Sequence, residues 1–245
     1  MTNCTAAVAR VPEGDFSIEQ ISVGAPRAGE VRVKIAGVGL CHTDLIFRDQ
    51  FIPYQLPAIL GHEGAGVIEE VGADVTGLAV GDKVVLGFSS CGTCPRCDEG
   101  LPSYCQSFVP MNYAGVRLDD GSTAYSAGEE QVGSHFFGQS SFAASAIVRA
   151  RNVVKVGDTS APLELLGPLG CGFQTGAGGV MRSLACTAGS SIAIFGGGPV
   201  GLAAVMGAAI QGCTTIILVE PIAARRAIAQ DLGATHVIDP ATAGD

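Results

Sequence analysis

The chain has 245 residues, 47% of them hydrophobic and 15% charged, with a net charge of −9. That length and apolar share allow one large domain or two ordinary ones around a buried core. The acidic balance, with no Lys/Arg cluster, speaks against nucleic acid or an anionic membrane as a partner. No apolar run approaches the roughly 20 residues of a membrane-spanning helix, and the opening Met1-Thr2-Asn3-Cys4 lacks a signal-peptide core. Glycine supplies 35 residues, about twice the usual share, which favours a turn-rich β region or phosphate-cradling loops.

The first 150 residues read as mostly β. Glu30-Val31-Arg32-Val33-Lys34-Ile35 alternates polar and apolar, the period of a half-buried strand. Gly66 to Val71 and Asp82 to Leu86 predict further short strands between Gly-rich turns. Residues 101–140 read as loop, with a turn at Asp119-Asp120-Gly121, and Phe142 to Arg149 predicts another strand. Short strands punctuated in this way predict a barrel or sandwich.

Within this region Cys91, Cys94, Cys97 and Cys105 are spaced C-x2-C-x2-C-x7-C. Thiolates packed that closely repel one another unless a cation holds them, and the spacing lets one loop wrap a tetrahedral zinc. A disulfide knot suits a short secreted chain instead. The bacterial iron–sulfur run closes with a three-residue gap and a proline, not a gap of seven. The remaining reading is four unrelated loop thiols. Nine cysteines, four of them set for a metal, suggest a reducing cytoplasm.

After about residue 155 the texture changes. Pro162 to Leu169 and Gly176 to Leu184 have helical content. Ser191 to Phe195 is a continuous apolar run, as expected of a strand buried on both faces. Val200 to Gln211 predicts a helix, Thr214 to Val219 a strand, Ala223 to Leu232 a helix stopped by Gly233, and His236-Val237-Ile238 a third strand. This βαβαβ order predicts a parallel sheet.

Between the first strand and its helix, Gly196-Gly197-Gly198-Pro199-Val200-Gly201 matches G-x-G-x-x-G. Gly196 suits the tight turn, Gly198 a close approach of backbone to a pyrophosphate, and Gly201 close helix–strand packing. A pyrophosphate there faces the positive end of the helix. Glu220 ends the next strand, where a carboxylate accepts hydrogen bonds from a ribose and repels a 2′-phosphate, so NAD is favoured over NADP. Arg225 and Arg226 stand nearby, and an arginine can serve a phosphate. Gly176-Ala177-Gly178 lacks a preceding strand and a third glycine, so it is set aside.

Cys41, His62 and Cys171 remain as soft metal ligands, too far apart in sequence for spacing to assemble them. Their local contexts are Cys41-His42-Thr43-Asp44, Gly61-His62-Glu63 and Gly170-Cys171-Gly172-Phe173-Gln174-Thr175-Gly176. With the cysteine loop and the glycine turn, in that order, the chain resembles the zinc-containing alcohol dehydrogenases of the medium-chain dehydrogenase/reductase superfamily. Cys41-His42-Thr43-Asp44-Leu45 running into Phe47-Arg48-Asp49-Gln50, and Leu60-Gly61-His62-Glu63-Gly64, look most like the aryl-alcohol (benzyl-alcohol-like) members. A Cys2His zinc with an open fourth position is known from alcohol dehydrogenase itself, and the assignment rests on that precedent.

The resemblance implies a GroES-like β-barrel catalytic domain over 1–155 and a partial Rossmann domain, a doubly wound parallel sheet, over 156–245. It implies that Cys41, His62 and Cys171 bind a catalytic zinc and that Cys91, Cys94, Cys97 and Cys105 bind a structural one. Thr43 would accept the alcohol proton, Asp44 would orient the His62 imidazole, and Glu63 would lie near the metal. His42 falls where the family contacts the coenzyme pyrophosphate, and Thr175 where a side chain packs by the nicotinamide. Phe88, Phe136 and Phe137 fall in pocket-lining segments. Many members carry a histidine five residues after the first zinc ligand, to pass the proton outward; here that residue is Ile46.

The implied activity is hydride transfer between NAD and a primary alcohol, aromatic ones included, or its aldehyde. The alternatives are a glutathione-adduct-dependent formaldehyde dehydrogenase of the same superfamily and a non-catalytic zinc protein or fragment. Such enzymes are commonly homo-oligomers. A doubly wound domain needs roughly six strands, and only three are predicted here, so the chain reads as a fragment or a truncated product without turnover of its own.

Overall fold

Alternating burial builds the first hairpin. β1 (Thr2–Ala9) pairs antiparallel with β2 (Phe16–Val23), and Cys4, Ala6, Val8, Ile21 and Val23 turn inward. The hydropathy pattern predicts neither strand, because β1 is made largely of small Ala and Thr residues whose contrast is weak. The chain continues through β3 (Glu30–Val38), α1 (His42–Arg48), β4 (Ala58–Ile59), β5 (Gly64–Val71) and β6 (Lys83–Leu86). It then forms α2 (Pro95–Asp98), α3 (Phe108–Tyr113), β7 (Tyr125–Ala127), β8 (Glu130–Val132), β9 (Ser145–Arg149) and β10 (Val153–Lys155). The predicted loop 101–140 therefore contains a short helix and a hairpin, β7–β8, whose strands are too short to show a period.

This is a computed structural model, and it describes residues 2–242. The chain divides into two units, one ending at Gly170 and the next beginning at Cys171. Segment 156–170 packs with the first unit rather than the second. A Cβ at Gly37 would lie 2.2 Å from the Glu164 carbonyl oxygen, and one at Gly170 would lie 2.0 Å from that of Leu86.

The first unit holds two five-stranded antiparallel sheets, ordered β4-β1-β2-β7-β8 and β10-β6-β5-β3-β9. One core gathers Ile21, Ile59, Tyr125 and Ile147, and another Val31, Val33, Ile68, Val84 and Leu86. A third is aromatic, around Phe47, Tyr54 and Phe136. β3 carries two irregularities opposite β5, at Arg32/Val33 and Ile35/Gly37, just before the chain turns toward Cys41. Such bulges bend a strand and redirect the residues beyond them.

A buried ion pair crosses this unit. Arg117 Nε and Nη2 donate to Glu30 Oε1 and Oε2 at 2.8 and 2.9 Å, and both side chains are almost fully buried. Burial opposes charge on Glu30, but His135 and Arg117 outweigh it and hold the carboxyl far below its usual range. The depressed value means that this stabilisation is present above the ordinary carboxylate pKa and is lost as pH falls through the folded-state value. Removing one partner strands a buried charge, so Arg117→Met is expected to cost about 3–5 kcal/mol. Combining it with Glu30→Gln should recover part of that loss, as read from denaturant midpoints.

The second unit opens with α4 (Gly172–Gly178) and a single π turn, Gly179–Ser183. There follow β11 (Ser191–Phe195), α5 (Pro199–Ile210), β12 (Thr215–Val219), α6 (Ala223–Asp231) and β13 (His236–Ile238). The strands pair in parallel in the order β11-β12-β13, as the βαβαβ pattern predicts. The core runs through Ile194, Val205, Ala208, Ile216, Leu218 and Ala229. β11 departs from its expected two-faced burial. Ile194 is buried, but Ser191, Ala193 and Phe195 are exposed, Phe195 at 81%, so only one face is covered. The glycines set aside as a phosphate turn have a packing role. A Cβ at Gly176 would lie 2.0 Å from the Val200 carbonyl oxygen, so small residues let α4 lie against α5.

Candidate metal centres and coenzyme turn

The cysteine loop is its own small core. Cys94, Cys97 and Cys105 are buried, Cys91 is half-buried, and Phe108 packs against them. All four sulfurs lie within 4.8 Å of one another, with Cys91–Cys97 at 3.9 Å and Cys94–Cys105 at 4.0 Å. Zinc–sulfur bonds of about 2.3 Å in a tetrahedron put the sulfurs about 3.8 Å apart, so the cluster fits one zinc. Gly92 and Gly100 take left-handed φ of 78° and 76° at its turns. The Thr93 backbone N–H pulls the Cys91 thiol down to about 6, while burial pushes Cys97 up to about 11. A cation removes that conflict by taking all four as thiolates.

The second cluster is built at the start of α1. Cys41 is the helix N-cap and Asp44 the third helical residue. Asp44 is buried, and its carboxylate makes three bonds: Oδ2 accepts the Cys41 backbone N–H at 3.1 Å, Oδ1 accepts that of Gly61 at 3.1 Å, and Oδ1 faces His62 Nδ1 at 2.9 Å. The first is half of a capping box, and an acid in the first turn also suits the helix dipole. Gly61 has φ +87°, and a Cβ there would lie 2.5 Å from Phe142. The sharp turn sets His62 beneath Asp44.

The network puts the imidazole proton on Nδ1 and the lone pair on Nε2. Nε2 is buried and has no hydrogen-bond partner. Donor atoms of Cys41, His62 and Glu63 lie within 4.8 Å of one another. Burial opposes charge on His62, but Asp44 and the Cys41 sulfur outweigh it and raise the pKa to about 9, so the Nε2 lone pair becomes available as a binding metal displaces the proton there. An orphaned buried imidazole nitrogen beside a thiol and a carboxylate fits a soft divalent metal, whose ligands must be deprotonated. Cys171 is the first residue of the second unit, one peptide bond beyond Gly170.

Thr43 Oγ1 lies 3.5 Å from Cys41 Sγ, and His42 is exposed on the same helix. Ile46 packs with the aromatic cluster. Phe137 stacks on the His62 ring at 4.5 Å and 24°, and Phe136 meets it edge-on at 5.6 Å. Phe88 joins the same aromatic chain through Phe108, which in turn faces Phe137. Sequence reasoning missed Gln139. Its buried amide donates to the His62 carbonyl at 2.9 Å and accepts the Gly64 N–H at 3.1 Å, fixing the backbone on both sides of Glu63. A lone glutamine in a supposed loop carries no signal of this.

In the second unit the glycine turn has the expected geometry. Gly196 has φ +96°, and a Cβ on Gly201 would lie 1.8 Å from the Gly196 carbonyl oxygen. A Cβ at Gly198, the N-cap of α5, would meet nothing within 4 Å, so that face is open to a ligand. Glu220 is buried, with Oε2 accepting the Gly197 N–H at 2.5 Å and Oε1 that of Ile222 at 2.7 Å. These bonds, that of Gly197 first, hold its pKa below the usual range. Arg226 is engaged by the Glu220 carbonyl and Asp239, whereas Arg225 is exposed. Thr175 is exposed on α4. The open Gly198 face and the ionised Glu220 fit a dinucleotide.

The profile of the family "Alcohol dehydrogenase GroES-like domain" matches residues 27–158, and that of "Zinc-binding dehydrogenase" matches residues 199–245. The chain therefore belongs to the zinc-type alcohol dehydrogenases, with a GroES-like domain followed by a Rossmann-like one. It is 51% identical over 240 residues to a geraniol dehydrogenase of Castellaniella defragrans, covering 98% of this chain and 64% of that protein. It is 40% identical over 240 residues to an alcohol dehydrogenase class-3 of Caenorhabditis elegans, covering 97% of this chain and 62% of that protein. The benzyl alcohol dehydrogenase structure from Acinetobacter calcoaceticus superposes with a TM-score of 0.93 at 45% identity, over 99% of this chain and 65% of that one. The chain thus spans just under two thirds of these relatives. Among the described residues, no helix is long and apolar enough to cross a membrane.

Proposed function

We propose that the chain carries the metal and coenzyme-binding machinery of an NAD-dependent dehydrogenase acting on primary alcohols whose hydroxyl sits on a benzylic or allylic carbon. The observation that carries this reading is the Asp44–His62 pair, which leaves a buried, unpartnered Nε2 beside Cys41 and Glu63. Cys41, His62 and, by resemblance to the family, Cys171 would hold this zinc, and the four loop cysteines would hold a second, structural one. When bound, the first zinc supplies Lewis acidity toward an alcohol oxygen and NAD supplies the hydride acceptor.

The chain's own residues do the rest. Asp44 holds the imidazole in the tautomer that presents Nε2. Thr43 Oγ1, two residues from Cys41, receives the substrate proton. Ile46 gives no titratable group for the next step, so the proton would pass from Thr43 to solvent by another route. The aromatic side chains that run from Phe88 through Phe108 to Phe137 favour a flat, apolar substrate. The names of the geraniol and benzyl alcohol dehydrogenases support the same substrate class. Gly196, Gly198 and Gly201 cradle the pyrophosphate, with His42 on it, Thr175 by the nicotinamide, and Glu220 and Arg225 on the adenosine side. The whole protein works as a homo-oligomer in the cytoplasm.

Alcohol-dependent NADH formation by the whole protein with benzyl alcohol, geraniol, ethanol and S-hydroxymethylglutathione tests the reading. The two unsaturated alcohols are expected to give the highest kcat/KM. Preference for S-hydroxymethylglutathione would replace it with the glutathione-adduct reading, and zinc bound only at the cysteine loop would leave a non-catalytic zinc protein. Coenzyme choice rests on Glu220. Glu220→Ser is expected to weaken NAD binding about tenfold or more, the worth of hydrogen bonds to a charged group, and to relax discrimination against NADP. Calorimetry with both coenzymes checks this, and a wild type that binds NADP more tightly would contradict it.

A further inference from the structure

Three residues in the short segment 135–140 hold backbone conformations that L side chains rarely adopt. His135, Phe137 and Ser140 have φ of 61°, 49° and 51°, and Gly138 between them has φ 69°. Such conformations persist only where the surroundings over-determine them, and they cluster at functional sites. The surroundings here are dense. Ser140 Oγ accepts the Phe136 N–H at 3.0 Å and donates to the Ile59 carbonyl at 2.6 Å. Gln139 grips the backbone around Glu63. Ser134 Oγ accepts the Ala124 N–H at 2.9 Å, and Glu30, paired with Arg117, lies 3.7 Å from His135.

All this hardware presents one side chain. Phe137 lies with its ring nearly parallel to the His62 imidazole, 24° between planes and 4.5 Å between centroids. The imidazole turns about its Cβ–Cγ bond, and the hydrogen bond from Nδ1 to Asp44 restrains that turn at one edge of the ring only. The Nε2 lone pair lies in the ring plane, so such a rotation swings its direction. A flat wall against the ring face removes that freedom, and the Phe136 edge limits sideways movement.

We propose that Phe137 is a positioning residue for the His62 metal donor, its strained backbone being the means of laying a flat ring against the imidazole. This rests on the metal centre assigned to Cys41 and His62, but it assigns to Phe137 a role beyond contact with substrate. Leucine or methionine keeps the apolar bulk of Phe137 and loses the flat face, whereas tyrosine keeps both.

The test loads the protein with Co2+, whose visible absorption reports ligand geometry, and compares wild type with Phe137→Leu, Phe137→Met and Phe137→Tyr. His62→Ala and Cys94→Ala identify the band of each centre. We expect Phe137→Leu and Phe137→Met to shift and broaden the His62-dependent band and to weaken Co2+ there about tenfold, as loss of an orienting neighbour does. The cysteine-loop band should stay unchanged, and Phe137→Tyr should restore both band and affinity. That loop band and far-ultraviolet circular dichroism report whether each variant folds, and whichever of the leucine and methionine variants folds decides the matter. An unchanged His62-dependent band with affinity within about twofold of wild type would overturn the proposal, since loss of an orienting group costs more. A His62→Ala protein that keeps both bands would overturn the metal assignment itself, and the proposal with it.

Discussion

Cys94→Ala is expected to release one zinc and to unfold the segment between Cys91 and Cys105. That segment has little else to hold it. Its core is the four sulfurs and Phe108, and α2 spans only Pro95–Asp98. Structural zinc in small zinc domains supplies about 10–16 kcal/mol of apparent folding free energy, far more than one apolar side chain in such a loop. Limited proteolysis should show new cleavage inside 91–105, with the β strands of the first unit still protected. A variant that keeps both its zinc content and its resistance to protease would show that the loop folds without metal.

Asp44→Ala carries the second large effect, because one carboxylate serves three groups. Its loss orphans the buried N–H of Gly61, at about 1–3 kcal/mol, and the half-buried N–H of Cys41 at less, and frees the His62 ring. Zinc affinity at this centre should fall about 10–100-fold, the usual cost of losing a group that orients a ligand. Asp44→Asn should rescue only part of this. An amide has one accepting oxygen, whereas the N–H groups here approach both oxygens of the carboxylate. Chelator competition measures the affinity and denaturant unfolding the stability. If Asp44→Ala binds zinc as tightly as wild type, the imidazole is held by something else.

The cysteine loop and the coenzyme turn are legible in the sequence because their signals are short. The C-x2-C-x2-C-x7-C run and the glycines from Gly196 to Gly201 each lie within one loop, where spacing alone constrains geometry. Asp44 is legible only through the likeness of Cys41-His42-Thr43-Asp44 to a family, since His62 is 18 residues away. The hidden features depend on long-range packing. Arg117 and Glu30 are 87 residues apart, and Gln139 reaches His62 across 77. β1 and β7 lack contrast or length. The apolar run of β11 suggests burial on both faces, but hydropathy reports what a strand could bury, not what covers it, and Phe195 is exposed.

The most direct measurement of the central claim is zinc content in site-specific variants. Wild-type protein is expected to hold two zincs per chain. Cys41→Ala and Cys171→Ala should each hold one, with folding intact and the loop 91–105 protected, while Cys94→Ala should hold the other one with that loop open. If variants of both groups lose the same zinc, the chain does not hold two separate metal centres, and if Cys41→Ala keeps two, Cys41 is a ligand of neither.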